Sequence, residues 1–533
     1  MLPSTPTISF PEQPQQLDLR RELMALLRQI GPGHIINTAY DTAWVARLHK
    51  LGEPMAEEAL NWLREHQLAD GSWGAEQPVY HHDRVICTLA AAIALAERGL
   101  AEDRVRLEGA MIALDKHQAR VHLDPAGETI AFEMLFPALM AEAKTLRVAK
   151  RGNTGFLNDM ARTREVKLAS SPGGMISRFT TMAFSAEMAG SDGVHILDTT
   201  DLQELNGSIG YSPSATAYFA LNVSPRNPRA LQYLKTTFNN GGIPSVAPIN
   251  IFEPAWALWN LALTDSLDKE ARVLCQSHLD FIERAWHPVQ GIGSADDWTL
   301  KDSDDTGLVY DVLRRFDRLV NLDAVLHYEE ATHFRCFALE ANPSVSANIH
   351  ILGALRQAGL TIQHPSVQKV FRFLGQHKLA EGLWFDKWHA SPYYATAHLI
   401  IACAGYHDEF VTKAIKWILD TQNEDGSWGY YLATAEETAY CLQALAIWHR
   451  YGRDIPAVAL KRGETWLRNH IDLPYPPLWI GKCLYSPTLV IRSTVLSALI
   501  MAQSLESSTN SLHGKEFGNG TDSLPNFLKL ERV

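Results

Sequence analysis

The densest run of acidic side chains in the sequence ends in Asp302-Ser303-Asp304-Asp305, where three carboxylates fall within four positions. An apolar stripe at helical spacing follows, from Leu308 to Phe316, so the acids are predicted to lie at the start of a helix. Acidic residues there commonly do no more than complement the helix dipole. Carboxylates this crowded, if partly buried, would instead keep one carboxyl protonated near neutral pH, as Brønsted-acid chemistry requires. Both interpretations stay open at this point.

Aromatic side chains are the second feature that could do chemistry. The chain has 14 Trp, 16 Tyr and 19 Phe residues. Such rings most often fill a core, but rings that line a cavity also stabilise a carbocation through cation–π attraction. Composition does not separate these two interpretations.

The overall charge and composition narrow the classes of partner. The chain has 533 residues, of which 46% are hydrophobic, and a net charge of −12. This mix excludes a disordered or collagen-like chain and predicts two or three packed domains. A broad surface for nucleic acid or for an anionic membrane is not expected, so an anionic substrate would need a local basic pocket.

The cysteines, the N-terminus and the apolar runs together predict a cytoplasmic protein. The 6 cysteines lie far apart with neither a C-x-x-C pair nor a zinc-ligand spacing, as expected of buried thiols in a reducing compartment. Residues 1–16 are rich in proline and lack the pattern of a signal peptide. No run approaches the ~18 apolar residues of a membrane span, so no transmembrane segment is expected.

The periodicity is helical almost throughout, and one motif repeats. Gln67–Gly74 reads Q-L-A-D-G-S-W-G, Gln422–Gly429 repeats it as Q-N-E-D-G-S-W-G, and Gln203–Gly210 is a degenerate copy. The Asp/Asn-Gly-Ser segment builds a turn between helices, and helical hairpins joined in this way stack into closed double rings. Thr434–Glu437 is a candidate capping box for one of the helices. The predicted fold class is all-α, with at least two α/α-barrel domains.

Taken together, these motifs resemble those of the class II terpene cyclases, and within them the diterpene cyclases of the copalyl diphosphate synthase type. The resemblance covers most of the chain and rests on the following segments: Asp302–Thr306 as D-x-D-D-T, Tyr40–Ala46 as Y-D-T-A-W-V-A, the Q-x-x-D-G-S-W repeats, Phe132–Pro137, Ser212–Ala217 and Ile251–Pro254.

The resemblance implies two α-barrel domains, called β and γ, with γ inserted after the first β segment and the active site between them. We assign residues 1–49 to β, 50–225 to γ and 226–505 to β, with 506–533 as a flexible tail. Relatives that carry a third, ionising domain have a D-D-x-x-D motif. In this chain Asp304–Leu308 reads D-D-T-G-L, so loss of the diphosphate is not expected.

The catalytic roles are also implied by the resemblance. Asp304 would be the general acid that protonates the terminal alkene, while Asp302 and Asp305 would tune its acidity. The residue that hydrogen-bonds this acid is expected to be His350, with Asn348 as the second choice. A histidine on an apolar helix is also often a satisfied core residue, and that alternative stays open.

For the diphosphate, the resemblance implies Lys167 as a substrate-binding lysine and Glu133 as a carboxylate that binds Mg²⁺ together with the diphosphate. Mg²⁺ would let an acidic protein hold a polyanion. Single Lys and Glu residues are more often only solvated, so this alternative stands beside the functional one.

One departure from the family bears on the product. Plant enzymes that make ent-copalyl diphosphate carry a His and an Asn that hold the water removing the last proton, and this chain has Phe184 and Ser245 instead. Without that base, and with an aromatic face to stabilise the cation while hydride and methyl groups migrate, a rearranged clerodane or halimadane skeleton is expected. The alternative is that Phe184 only fills space and another base quenches the cation.

The expected function is therefore class II cyclisation of geranylgeranyl diphosphate, in which two rings close, the diphosphate is retained and a kolavenyl-type product forms. Alternatives within the class are unrearranged copalyl diphosphate, a drimenyl-type reaction on farnesyl diphosphate and a squalene–hopene-type reaction. The alternative from another class is a non-catalytic helical ring that binds a partner or lipid. The product would pass to a class I terpene synthase or a phosphatase.

Overall fold

The computed structural model describes residues 17–149, 154–169, 175–338, 340 and 342–513, and almost all of its regular structure is helical. The first nine α-helices are α1 (Leu19–Gln29), α2 (Ala39–Ala46), α3 (Met55–Glu65), α4 (His81–Arg98), α5 (Arg104–Gln118), α6 (Phe132–Thr145), α7 (Thr154–Ala169), α8 (Pro213–Tyr218) and α9 (Pro228–Thr237). The remainder are α10 (Phe252–Ala262), α11 (Lys269–Ala285), α12 (Ser303–Arg315), α13 (Asp323–Leu326), α14 (Val345–Gln357), α15 (Pro365–Gln376), α16 (Pro392–Cys403), α17 (Asp408–Asp420), α18 (Ala435–Arg450), α19 (Ala457–Arg468) and α20 (Thr488–His513). Two short strands, β1 (Trp479–Ile480) and β2 (Leu484–Tyr485), pair antiparallel as a hairpin.

Two concentric rings of helices form the larger barrel. Among the described residues, α10, α12, α14, α16, α18 and α20 pack in that order as a closed inner ring, and α1, α11, α13, α15, α17 and α19 pack outside it. Outer helices such as α15 and α17 bury one face, whereas α16 is buried along its whole length. An apolar inner helix and an amphipathic outer helix are what such layers require.

The smaller barrel repeats this plan. Its inner ring consists of α2, α4, α6, the 3₁₀ segment Thr181–Ala189 and α8, which packs back on α2. Helices α3, α5, α7 and α9 pack outside that ring. The all-α class with two α/α-barrels is therefore confirmed.

The two apolar cores divide the chain near the predicted boundaries but not at them. The core of the larger barrel takes its buried residues from Leu19–Ile30 and from Ile251–Met501, whereas the smaller core takes them from Ala39–Ile243 and adds Cys483 of the hairpin. Helices α2 and α9 thus belong to the smaller barrel, which begins before residue 50 and ends after residue 225. Helix α20 continues past residue 506 to His513, and residues 514–533 lie outside the described residues.

The repeated motif builds turns between the rings. The Trp73 indole N–H donates to Leu63 O at 2.8 Å, and its backbone N–H donates to Thr88 Oγ1 at 3.0 Å. Trp384 makes the corresponding bonds to Leu374 O and Thr396 Oγ1, at 2.8 and 3.1 Å. The Trp384 turn was not predicted from the sequence, because its segment lacks the Gln and Asp of the motif.

Inner helices alternate with outer helices along the chain, so the inner N-termini lie at one end of each barrel. At that end Thr434 caps α18 by accepting from Glu437 N at 3.0 Å, and the Glu437 carboxylate accepts from the Thr434 hydroxyl at 2.7 Å. The β1–β2 hairpin also lies there and joins the smaller barrel, since Ile130 N donates to Gly481 O at 2.8 Å. The barrels therefore meet at their inner N-termini.

One window of 18 residues in the described helices, Thr488–Leu505, is long and apolar enough to cross a membrane, and 61% of it is buried inside the protein. It belongs to α20, an inner-ring helix, where an apolar sequence is required by packing.

Candidate active site between the barrels

The acidic cluster lies at the start of helix α12, as the sequence predicted. The Asp302 carboxylate accepts from Asp305 N at 2.8 Å and so caps the helix. Asp302 and Asp305 are 4% and 5% exposed, whereas the Asp304 side chain is 17% exposed. Asp304 is thus the acid that reaches furthest out of the core.

The cluster does more than complement the helix dipole. Burial raises the pKa of Asp302 to about 7, against the opposing hydrogen bond from the Asp305 backbone. Burial and then the charge of Asp302 raise the pKa of Asp305 well above its usual range. A cluster with these shifts holds a proton near neutral pH, as the crowding indicated.

His350 holds the outermost acid. Its Nδ1 lies 2.6 Å from Asp304 Oδ1, and its Nε2 lies 3.0 Å from His398 Nδ1. Burial, with a smaller effect of the neighbouring His350 and His389, holds the pKa of His398 well below its usual range. A neutral His398 therefore fixes the His350 ring, which in turn fixes one oxygen of Asp304. The contact between Asp304 and His350 matches the expectation, and its role in catalysis stays a prediction.

Asn348, the second choice for that position, makes a different set of contacts. It accepts from Phe334 N at 2.9 Å and donates to Phe334 O and Ser344 O at 2.9 and 2.8 Å. These bonds hold the segment before α14 in place, so the described contacts of Asn348 are structural.

Thr306, the last residue of the D-x-D-D-T motif, anchors a turn. Its hydroxyl accepts from Ile292 N at 3.0 Å and lies 3.1 Å from Ile292 O. Thr88 and Thr396 do the same for the Trp turns, so Thr306 is the equivalent residue in a turn whose Trp is replaced by Ile. The repeat did not identify it, because Trp286–Ile292 reads W-H-P-V-Q-G-I and lacks the Gln, Asp, Gly and Ser of the motif at their positions.

The loop that precedes Asp302 is tied to the smaller barrel. The Tyr211 hydroxyl donates to Asp297, and the Thr299 hydroxyl donates to Glu204 Oε2 at 2.6 Å. The position of the acidic cluster therefore depends on both barrels.

Aromatic rings run from the acid toward the hairpin. The Trp256 ring lies 5.5 Å from His350 and 4.2 Å from Phe252. Trp479 in β1 lies 5.5 Å from Phe252 and 5.1 Å from Tyr394. These rings were missed as individual site residues because 14 Trp, 16 Tyr and 19 Phe give composition no means to rank them.

Phe184 packs against a buried ion pair. Lys482 of the hairpin donates to Glu187 at 2.5 Å and to the hydroxyls of Ser212 and Ser214 at 2.7 Å each. Its ammonium lies 4.6 Å from the centre of the Phe184 ring, which is half-buried. One cation–π partner of Phe184 is therefore Lys482, which sequence reasoning did not identify.

Ser245, the other residue expected to shape the product, lies at the junction of the barrels. It is 1% exposed, and its hydroxyl has no hydrogen-bond partner among the described residues. The preceding residue, Pro244, forms a backbone bridge with Asn37.

The structure brings the two residues expected at the diphosphate together. The Lys167 ammonium forms an ion pair with the Glu133 carboxylate. Partial burial and then the Glu133 charge raise the pKa of the neighbouring Glu128. Two carboxylates that repel each other in this way fit Mg²⁺, which prefers oxygen ligands and would relieve the repulsion.

Comparison with known proteins relates the chain to terpene cyclases both by sequence and by structure. Residues 324–450 match the squalene-hopene cyclase C-terminal domain. A type B diterpene cyclase of Mycobacterium tuberculosis is 45% identical over 482 residues, which cover 88% of this chain and 96% of that protein. An ent-copalyl diphosphate synthase of a Streptomyces species is 33% identical over 84% of this chain and 89% of its own length. The solved structure of ent-copalyl diphosphate synthase from Streptomyces platensis superposes with a TM-score of 0.74, at 29% identity, over 91% of this chain and 99% of that one.

Proposed function

The chain belongs to the class II diterpene cyclases, and from this premise we propose that it converts geranylgeranyl diphosphate into a bicyclic diphosphate. The observation that carries the proposal is Asp304, an acid in a proton-holding cluster, fixed by His350 at 2.6 Å beside a path of aromatic rings. A relative named for copalyl diphosphate supports a prenyl diphosphate as the substrate.

In the proposed reaction Asp304 gives its carboxyl proton to the terminal double bond. The π electrons form the new C–H bond and leave a cation on the adjacent carbon. Two ring closures move that charge along the chain, and a proton is lost from the final cation, so the product is an isomer of the substrate. Because His350 holds Oδ1 of Asp304, the other carboxyl oxygen is the one that donates. The C–O bond to the diphosphate is not broken.

Lys167 and Glu133 are proposed to bind the diphosphate end of the substrate. Lys167 contributes a positive charge, and Glu133 with Glu128 offers oxygen ligands for Mg²⁺. When bound, Mg²⁺ would neutralise part of the diphosphate charge. Fixing one end of the chain in this way prefolds the rest and lowers the entropic cost of ring closure.

The proposed product is rearranged, of the kolavenyl or halimadane type. Phe184 and Ser245 occupy the positions where a His and an Asn would hold a deprotonating water, and neither side chain is a base. The cation then persists long enough for hydride and methyl shifts. We also propose that the enzyme works in the cytoplasm and passes its product to a class I terpene synthase or a phosphatase.

The test is incubation of the purified protein with geranylgeranyl diphosphate and Mg²⁺, followed by dephosphorylation, mass spectrometry and NMR of the alcohol. The expected result is a rearranged bicyclic alcohol. Copalol alone would contradict the rearranged product while leaving the cyclase function intact. Turnover of farnesyl diphosphate in its place would favour a drimenyl-type reaction, and failure to cyclise either substrate would contradict the proposal.

A further inference from the structure

The buried carboxylate of Glu436 has no part in the mechanism above. Its Oε1 accepts from Trp479 Nε1 at 2.8 Å, from the Tyr440 hydroxyl at 2.9 Å and from His389 Nε2 at 3.3 Å. Three ring groups, each able to donate a hydrogen bond, therefore converge on one oxygen of Glu436. The second oxygen, Oε2, is buried and has no hydrogen-bond partner in the described part of the chain.

The ion-pair partner of Glu436 is the imidazole of His389. His389 Nδ1 lies 3.1 Å from Ser391 N and 3.2 Å from Ser391 O, and its Nε2 faces Glu436. Within the described residues, no Lys or Arg forms an ion pair with Glu436, which is 1% exposed. A buried carboxylate that has an imidazole but no Lys or Arg beside it can attract a positive charge that arises during function.

The next residue shows what a purely structural acid does in the same turn. Glu437 accepts from the Ser391 hydroxyl at 2.5 Å, the Thr434 hydroxyl at 2.7 Å and Tyr430 N at 2.8 Å. Its donors are helix caps and loop groups. The donors of Glu436 are aromatic side chains instead.

Those aromatic donors connect Glu436 to the acid. Trp479 lies 5.1 Å from Tyr394, and Tyr394 lies 4.5 Å from His398, the histidine behind His350. Tyr440 lies 5.4 Å from His398 and 5.6 Å from Tyr394. Trp479 and Tyr440, the rings that donate hydrogen bonds to Glu436, therefore belong to the aromatic cluster around Asp304.

We propose that Glu436 is a counter-charge for the cations formed after the first ring closure, acting through Trp479 and Tyr440, and that it determines how far the cyclisation proceeds. This inference rests on the proposed function. Asp304 becomes an anion as the first cation forms beside it, but each closure moves the positive charge away from Asp304. A carboxylate that hydrogen-bonds an indole N–H or a phenol O–H increases the electron density of the ring, and an electron-rich ring attracts a cation more strongly.

The central variant is Glu436→Gln, which keeps the size and the oxygen acceptor but removes the charge. Its kcat should fall about 10-fold while KM stays within about twofold, because the loss affects cations and not the ground state. The products should shift from bicyclic toward monocyclic or prematurely deprotonated diphosphates. Product ratios are measured by mass spectrometry after dephosphorylation, and folding by circular dichroism and thermal melting.

The matched control is Glu464→Gln. Glu464 is equally buried, at 2% exposed, but it lies on outer helix α19 and pairs with Lys461 and Arg468. This variant should lose stability and keep the wild-type product ratio. Tyr440→Phe removes a single donor and keeps the ring, so it should give a smaller shift in the same direction, and one that disappears in the Glu436→Gln background.

Each outcome separates the inference from the function on which it rests. If folded Glu436→Gln keeps the wild-type product ratio and kcat, the inference about Glu436 is overturned. Cyclisation by the wild-type protein in the same assay would still support the proposed function. If Glu436→Gln does not fold, the Tyr440→Phe result decides in the same way. An inactive wild type would contradict the proposed function itself.

Discussion

The imidazole of His350 bonds Asp304 on one side and His398 on the other, at 2.6 and 3.0 Å, so a single ring links the outermost acid of α12 to helix α16. Since His398 is buried and neutral, these two hydrogen bonds of His350 hold the Asp304 carboxyl in one orientation. An acid with fixed geometry, in an apolar and aromatic setting, is suited to protonate a carbon–carbon double bond.

The raised pKa of Asp302 predicts a pH-dependent stability. Its pKa is about 7 in the folded protein against an ordinary 3.8, so the folded state binds more protons between these values and loses stability as the pH rises through them. Asp302→Asn retains the helix cap and should remove part of this dependence of stability on pH. Its melting temperature should therefore be several degrees above that of wild type near pH 8. Asp472→Asn, at a side chain 91% exposed, is the control and should show the wild-type change of stability with pH. The same change of stability with pH in Asp302→Asn would contradict the prediction.

Lys482 should be important for stability because it pairs with Glu187 where both are fully buried. Lys482→Met leaves the carboxylate unpaired and should lower the free energy of unfolding by about 3–5 kcal/mol. Adding Glu187→Gln should recover part of the loss. Lys369→Met, which breaks a more exposed pair with Glu329, is expected to cost at most about 1 kcal/mol in chemical denaturation. Equal losses for the two lysine variants would contradict this account.

Lys167→Ala should chiefly weaken substrate binding. Removing one charge-assisted contact predicts a rise in KM of about 10- to 100-fold with little change in kcat. Steady-state kinetics with geranylgeranyl diphosphate measure both constants, and Lys144→Ala, at an exposed site on α6, serves as the control. A loss confined to kcat would show that Lys167 does not bind the diphosphate.

Phe184→His combined with Ser245→Asn should shift the product toward less rearranged or hydroxylated bicycles. The ammonium of Lys482, 4.6 Å from the present ring, disfavours an imidazolium at position 184, so the new ring stays neutral and can accept a proton through water. Phe179→His, at a side chain 58% exposed, should leave the products unchanged. An unaltered product spectrum in the double variant would place the terminating base elsewhere.

The sequence predicted the parts of the site that have a local signature. The helix start at Asp302 follows from the acids and the apolar stripe, and the partner of Asp304 was expected at His350 from the resemblance. Trp479 and Lys482 were not predicted, because their roles depend on a hairpin that reaches from one barrel into the other. Such long-range placement leaves no periodicity in the chain.

The most direct test of the central claim compares wild type with Asp304→Asn in the same assay with geranylgeranyl diphosphate and Mg²⁺. The amide cannot donate a proton of comparable acidity, so cyclisation should fall by about 100-fold or more while the circular dichroism spectrum and melting curve remain close to wild type. Near-wild-type formation of bicyclic diphosphate by a folded Asp304→Asn protein would contradict the assignment of Asp304 as the acid.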